Sequence, residues 1–126
     1  MTARVLLALA LLSTVPLSVA RADGDPEMGK RQFGACLACH TVEAGGPNRI
    51  GPNLHGIMGK KAGTNNAEFA YSDALKNSGV VWNDETMRAW IKKPSQLIQG
   101  TKMTFIGLPK EETQENVLAY LKEATK

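Results

Sequence analysis

The chain has 126 residues and a formal net charge of +3, with 15 Lys+Arg against 12 Asp+Glu. Arg4 and Arg21 fall in the first 22 residues, which hold no acid, so residues 23–126 carry 15 − 2 = 13 basic against 12 acidic side chains, or +1. That balance excludes a nucleic-acid binder, which needs a basic excess on its folded part, and two cysteines exclude a disulfide-dense scaffold.

Residues 1–22 read as a cleaved secretory leader. Arg4 gives a positive start, VLLALALL an apolar run, and Ala20-Arg21-Ala22 small residues at −3 and −1 of a cleavage site. The apolar run ends at Ser13 and Pro16 follows, short of the roughly 20 residues a spanning helix needs. No later stretch is long and apolar enough to span a bilayer. The expectation is therefore an exported protein of one domain, 23–126, without stable membrane insertion. A domain of this size often relies on a cofactor, a metal or disulfides to complete its core.

Asp25 followed by Pro26 predicts a helix start, with a side-chain cap and proline at the first helical position. The helix should run to residues 36–40, with Gly29 and Phe33 on one face. Those residues are CLACH and contain both cysteines of the chain. C-x-x-C-H is the attachment signature of c-type haem. Two thiols about one helical turn apart can add to the two vinyl groups on one porphyrin edge, and the adjacent His40 is carried under the ring as proximal iron ligand. A thioredoxin-like pair would want a strand before the motif, and a zinc site wants four ligands, for which the two cysteines with His40 and His55 lack the usual paired-histidine spacing.

The segment 42–68 shows no periodicity and reads as a long loop, which in a compact domain is usually functional or disordered. It contains His55 and, in GIMGKK, Met58. A short helix is expected after Ser72, ending near Gly79. A further helix should open at Asn83-Asp84-Glu85 and stop at Lys92-Lys93-Pro94, acids first and bases last. Met87, Trp90 and Ile91 form its core stripe. Met103 lies in QGTKMTF (99–105), a loop that could wrap the ring from the far side. Local sequence leaves Met103, Met58 and His55 as candidates for the sixth iron ligand. The last helix should span about 110–124, with Val117, Tyr120 and Leu121 as its apolar stripe. No strand pattern, repeat or linker is visible, so the fold class is all-α.

The stretches CLACHTVEAGGP (36–47), GPNLHGIMG (51–59), FAYSDALKNSGVVW (69–82), GTKMTF (100–105) and VLAYLK (117–122) together resemble mitochondrial-type class I cytochrome c. The resemblance implies that fold, helices and long loops wrapped around one haem c bound through Cys36 and Cys39. It implies His40 and Met103 as axial ligands, with the Pro52 carbonyl accepting the His40 ring proton. Tyr71 and Trp82 match residues that hydrogen-bond a haem propionate, and Thr101 one near the propionates. The first and last helices are expected to cross at Gly29. The chain departs from the family at several points. Lys60 replaces an arginine near a propionate, Trp90 a tyrosine near the methionine, and Leu75 a polar residue of the same network. Ser95 and Gln96 stand where docking lysines are common. The Phe33–Cys36 spacing is one residue shorter.

With both axial positions filled, no vacancy remains for a substrate. The implied function is a soluble periplasmic one-electron carrier, an electron-transfer protein without substrate chemistry of its own and not an enzyme. Its partners would be redox proteins: a cytochrome bc complex or periplasmic dehydrogenase as donor, a terminal oxidase or reductase as acceptor. The chain is read as a monomer. The competing class is a haem peroxidase or gas-binding cytochrome with an open or labile sixth site. Lys60, Lys61, Lys92, Lys93 and Lys102 could ring an exposed haem edge and steer an acidic partner.

Overall fold

The computed structural model describes residues 23–126; the expected leader, 1–22, lies outside the described residues. Five α-helices follow in order: α1 (Pro26–Gln32), α2 (Asp73–Asn77), α3 (Asp84–Lys92), α4 (Pro94–Leu97) and α5 (Glu111–Ala124). The architecture is all-α, with a single isolated bridge between Lys61 and Val81 among the described residues.

Local chemistry sets the helix starts. The Asp25 carboxylate accepts from the backbone N–H groups of Glu27 and Met28, and Pro26 takes the first helical position where its missing N–H costs nothing. Ser72 caps α2 by accepting from Leu75 N. Asn83 and Thr86 form a reciprocal capping box at α3.

Two boundaries differ from expectation. The first helix does not stay α-helical to residue 36 but tightens into a 3-10 turn over Phe33–Ala35, which leads into the cysteine motif. Pro94 is a start as well as a stop. Lys93 becomes extended (φ −165°, ψ 95°), and the proline then opens α4, for which its fixed φ is suited.

The packing centre is the crossing of α1 and α5, which is more extensive than any other helix pair. Gly29 is buried there, and its missing side chain leaves room for the Asn116 backbone and the Tyr120 side chain. Phe33 packs one turn on against Tyr120, with ring centroids 5.2 Å apart. The buried face of α5 is wider than its apolar stripe. Gln114 and Asn116 are buried with Val117, Leu118 and Leu121, and both find partners. Asn116 Oδ1 accepts from Asp25 N at 2.7 Å, and Gln114 Nε2 donates to Leu108 O at 2.6 Å. Satisfied amides of this kind are tolerated in a core. Helix α3 packs on α5 as well and offers Met87, Trp90 and Ile91 to the interior.

Candidate functional site

The helices and the long loop enclose a largely apolar cavity of about 300 Å³. Its walls come from well-separated parts of the described residues: Phe33, Cys36, Cys39 and His40 from the first segment, Pro52, Leu54, Tyr71 and Leu75 from the middle of the chain, Trp82, Met87, Trp90 and Ile91 from around α3, and Thr101–Phe105 from the last loop. Val117 and Leu121 of α5 close it.

His40 is buried, and its Nδ1–H donates to the Pro52 carbonyl at 2.7 Å. A carbonyl can only accept, so this bond leaves Nε2 as the unprotonated nitrogen when the ring is neutral. Burial lowers the proton affinity of the ring, and the Pro52 bond opposes this only in part. A neutral imidazole with one nitrogen tied back and the other free is the form that ligates a metal. Gly51 makes the arrangement possible, because a Cβ there would collide with the His40 ring. The neighbouring Asn53 is buried and saturated. Its Nδ2 donates to Thr41 Oγ1 (2.7 Å) and Glu43 O (2.9 Å), while its Oδ1 accepts from His55 N (3.0 Å).

Cys36 and Cys39 are half-buried free thiols on the cavity wall. Burial, with a smaller contribution from Cys39, pushes the Cys36 thiol up to about 11. A thiol held protonated at neutral pH is unsuited to thiol–disulfide exchange. No group of three or more His, Cys, Asp or Glu among the described residues could hold a metal by itself. Iron would need a donor of another kind.

Of the sixth-ligand candidates, Met103 lines the cavity, whereas His55 and Met58 do not. Met87 also lines it, but as a buried residue of the α3 core face. The Met103 backbone N–H donates to Thr101 Oγ1 at 3.2 Å, so Thr101 steadies the loop as well as lining the cavity. Tyr71 Oη accepts from Asn66 N at 3.1 Å, which leaves its own proton to donate elsewhere. Burial raises the Tyr71 pKa, and the Asn66 bond partly offsets that. Trp82 and Trp90 are buried, stand 5.3 Å apart between ring centroids, and both line the cavity. Leu75 lines it too, so two positions at which the resembled family is polar or phenolic are here aliphatic and indole.

The residues present fit a haem: a thiol pair, an imidazole nitrogen and a thioether around one apolar cavity with hydroxyl and indole donors on its wall. Sequence reasoning missed the Asn48, Asn53 and Asn66 amides beside this site; only their spacing near Pro52 and Tyr71 hints at them. Of the five lysines considered for docking, Lys102 lines the cavity, whereas Lys92 lines a groove with Glu85, Arg88 and Glu111 on another face of α3.

Comparison with known proteins agrees with this geometry. The family described as Cytochrome c matches residues 26–125. Cytochrome c of Theileria annulata is 47% identical over 104 residues, 82% of this chain and 89% of the relative. Cytochrome c2 of Rhodoblastus acidophilus is 46% identical over 100 residues, 79% of this chain and 92% of the relative. The solved structure of cytochrome cH from Methylobacterium extorquens superposes with a TM-score of 0.75 at 39% identity, covering 79% of this chain and 99% of that one. The family implies covalently bound haem c, redox partner proteins and electron transfer rather than enzymatic turnover. A match over nearly all of 23–126, joined to a cavity built for that cofactor, shows that the chain belongs to the cytochrome c family, class I.

Proposed function

We propose that this chain is an exported one-electron carrier of the periplasm, with residues 1–22 removed as a leader and residues 23–126 holding one haem c. The leader pattern and the bacterial cytochrome c2 and c-550 relatives support export. Cys36 and Cys39 would be the attachment thiols, and His40 and Met103 would hold the iron. Bound haem c supplies an iron that gains and loses a single electron.

The chain's own residues supply everything else. Pro52 fixes the His40 tautomer and ring direction. Met103, a soft thioether, favours the reduced metal and raises the potential relative to a second histidine. Tyr71 and Trp82 offer donors to the carboxylates of the ring, with Thr101 close by on the same wall. The apolar wall formed by Leu75, Trp90, Ile91 and Val117 keeps water from the site, which also favours the state of lower charge. With His40 and Met103 both holding the iron, no position would remain for a substrate. Donor and acceptor would be a cytochrome bc complex or dehydrogenase on one side and a terminal oxidase or reductase on the other.

The observation that carries this reading is that His40 and Met103 line one cavity while His40 Nδ1 is already bonded to Pro52. Denaturing the purified holoprotein in acidified organic solvent tests attachment: the pigment should stay with the polypeptide. The oxidised protein should also show the weak far-red band of an iron–methionine bond at neutral pH. Pigment that extracts freely, or a high-spin spectrum without that band, would overturn the proposal, the latter in favour of an open-site peroxidase or gas binder.

A further inference from the structure

Three asparagines form a chain of hydrogen bonds beside the cavity without lining it. Asn48 Oδ1 accepts twice, from Asn53 N at 2.9 Å and from Asn66 Nδ2 at 2.7 Å. Asn53 follows Pro52, whose carbonyl holds His40. Asn66, at the other end, presents its backbone N–H to Tyr71 Oη at 3.1 Å. One side-chain carbonyl thus ties the loop behind His40 to the loop that carries Tyr71, across 18 residues of sequence.

The polarity of these bonds is specific. Asn48 uses its side-chain acceptor for both bonds. Asn66 needs its side-chain donor for Asn48 and its Oδ1 for Glu68 N. Because Tyr71 Oη accepts from Asn66, its single proton is directed away from that bond, and Tyr71 lies on the cavity wall. Phe69, packed edge-on to Tyr71 at 5.0 Å, limits ring motion but does not choose the direction of the O–H.

We propose that Asn48 is a positioning residue, whose side-chain carbonyl holds Asn66 in place and so aims the Tyr71 O–H into the haem cavity. The consequence for haem rests on the reading of Tyr71 as a donor to a carboxylate of the ring. The role itself follows from the bonds. Position 48 requires an acceptor and position 66 a donor, so Asn48→Asp should preserve the link, whereas Asn48→Leu and Asn66→Asp should break it.

Backbone amide exchange of the reduced holoprotein, followed residue by residue by NMR, tests this. In Asn48→Leu the Asn66 amide should exchange about tenfold faster, the effect of losing a typical net hydrogen bond that holds its loop. The Val117 and Leu118 amides of α5 should keep their wild-type rates. Asn48→Asp should retain protection at Asn66, and Asn66→Asp should behave like Asn48→Leu, carrying the test if the leucine variant does not accumulate. Tyr71→Phe should also expose the Asn66 amide, and both Tyr71→Phe and Asn48→Leu should lower the reduction potential. Unchanged Asn66 protection in Asn48→Leu, or acceleration shared equally by α5, would overturn the positioning role. An unchanged potential in Tyr71→Phe would instead remove the reading of Tyr71 as haem donor, a separate result.

Discussion

Gly29 faces the backbone carbonyl of Asn116 so closely that a Cβ on Gly29 would enter the carbonyl oxygen, with Tyr120 Cβ also within contact. The obstacle is backbone on one side and a helix-fixed Cβ on the other, so neither can move without shifting α1 against α5. Gly29→Ala should therefore lower stability by about 2 kcal/mol, the cost of an overpacked core, although alanine is the better helix former by about 1 kcal/mol. Gly34→Ala, where nothing lies within 4 Å of the added carbon, is the control and should be tolerated. Denaturant midpoints of the two variants decide the matter.

Arg88 on α3 and Glu115 on α5 form an ion pair whose side chains are only 19% and 16% exposed, with Arg88 Nη2 donating to Glu115 Oε2 at 3.3 Å. Removing one partner leaves the other charge partly desolvated. Glu115→Ala should cost about 2 kcal/mol, below the range for a fully buried pair. Arg88→Met combined with Glu115→Leu should recover part of that loss. A double-mutant cycle by chemical denaturation measures the coupling.

The Tyr71 hydroxyl has its pKa raised above the ordinary value of 10.0 by burial. The folded state therefore holds this proton more tightly than the unfolded chain does. Its contribution to stability is fully present below the unfolded pKa and is lost as pH rises through the folded one. Stability should fall above about pH 10 in the wild type, and less steeply in Tyr71→Phe. The difference in phenolate absorbance between the two proteins identifies the late-titrating tyrosine.

If Met103 is the sixth ligand as proposed, its replacement by Ala should abolish the far-red band and lower the reduction potential, because a soft ligand that favours the reduced metal would be lost. Met58→Ala should leave both unchanged, since Met58 packs against the core without lining the cavity. Absorbance spectra and a redox titration of the two variants separate the methionines.

Much of the site is legible in short stretches of sequence because its chemistry is local. Cys36, Cys39 and His40 are close together in the chain, and their spacing alone matches the attachment signature of c-type haem. Asp25, Ser72 and Asn83 announce helix starts because a cap needs only the next three residues. What sequence misreads is non-local. Pro94 is a stop by local rules, yet the extended Lys93 lets it begin α4. Gln114 and Asn116 are polar by type, and become core residues because Leu108 and Asp25 arrive from other segments to satisfy them.

The sequence by itself determined that a cofactor could be covalently tethered, that helices would start at Asp25, Ser72 and Asn83, and that Gly29 leaves a gap on one helix face. Tertiary structure decided which groups turn toward the tether. Met103 rather than Met58 borders the cavity, Pro52 takes the His40 proton, and Asn48 ties Asn66 to the loop behind His40. The physical reason is that such partners meet only when loops close, and loop closure is selected by the packing of α1, α3 and α5 rather than by any neighbouring residue.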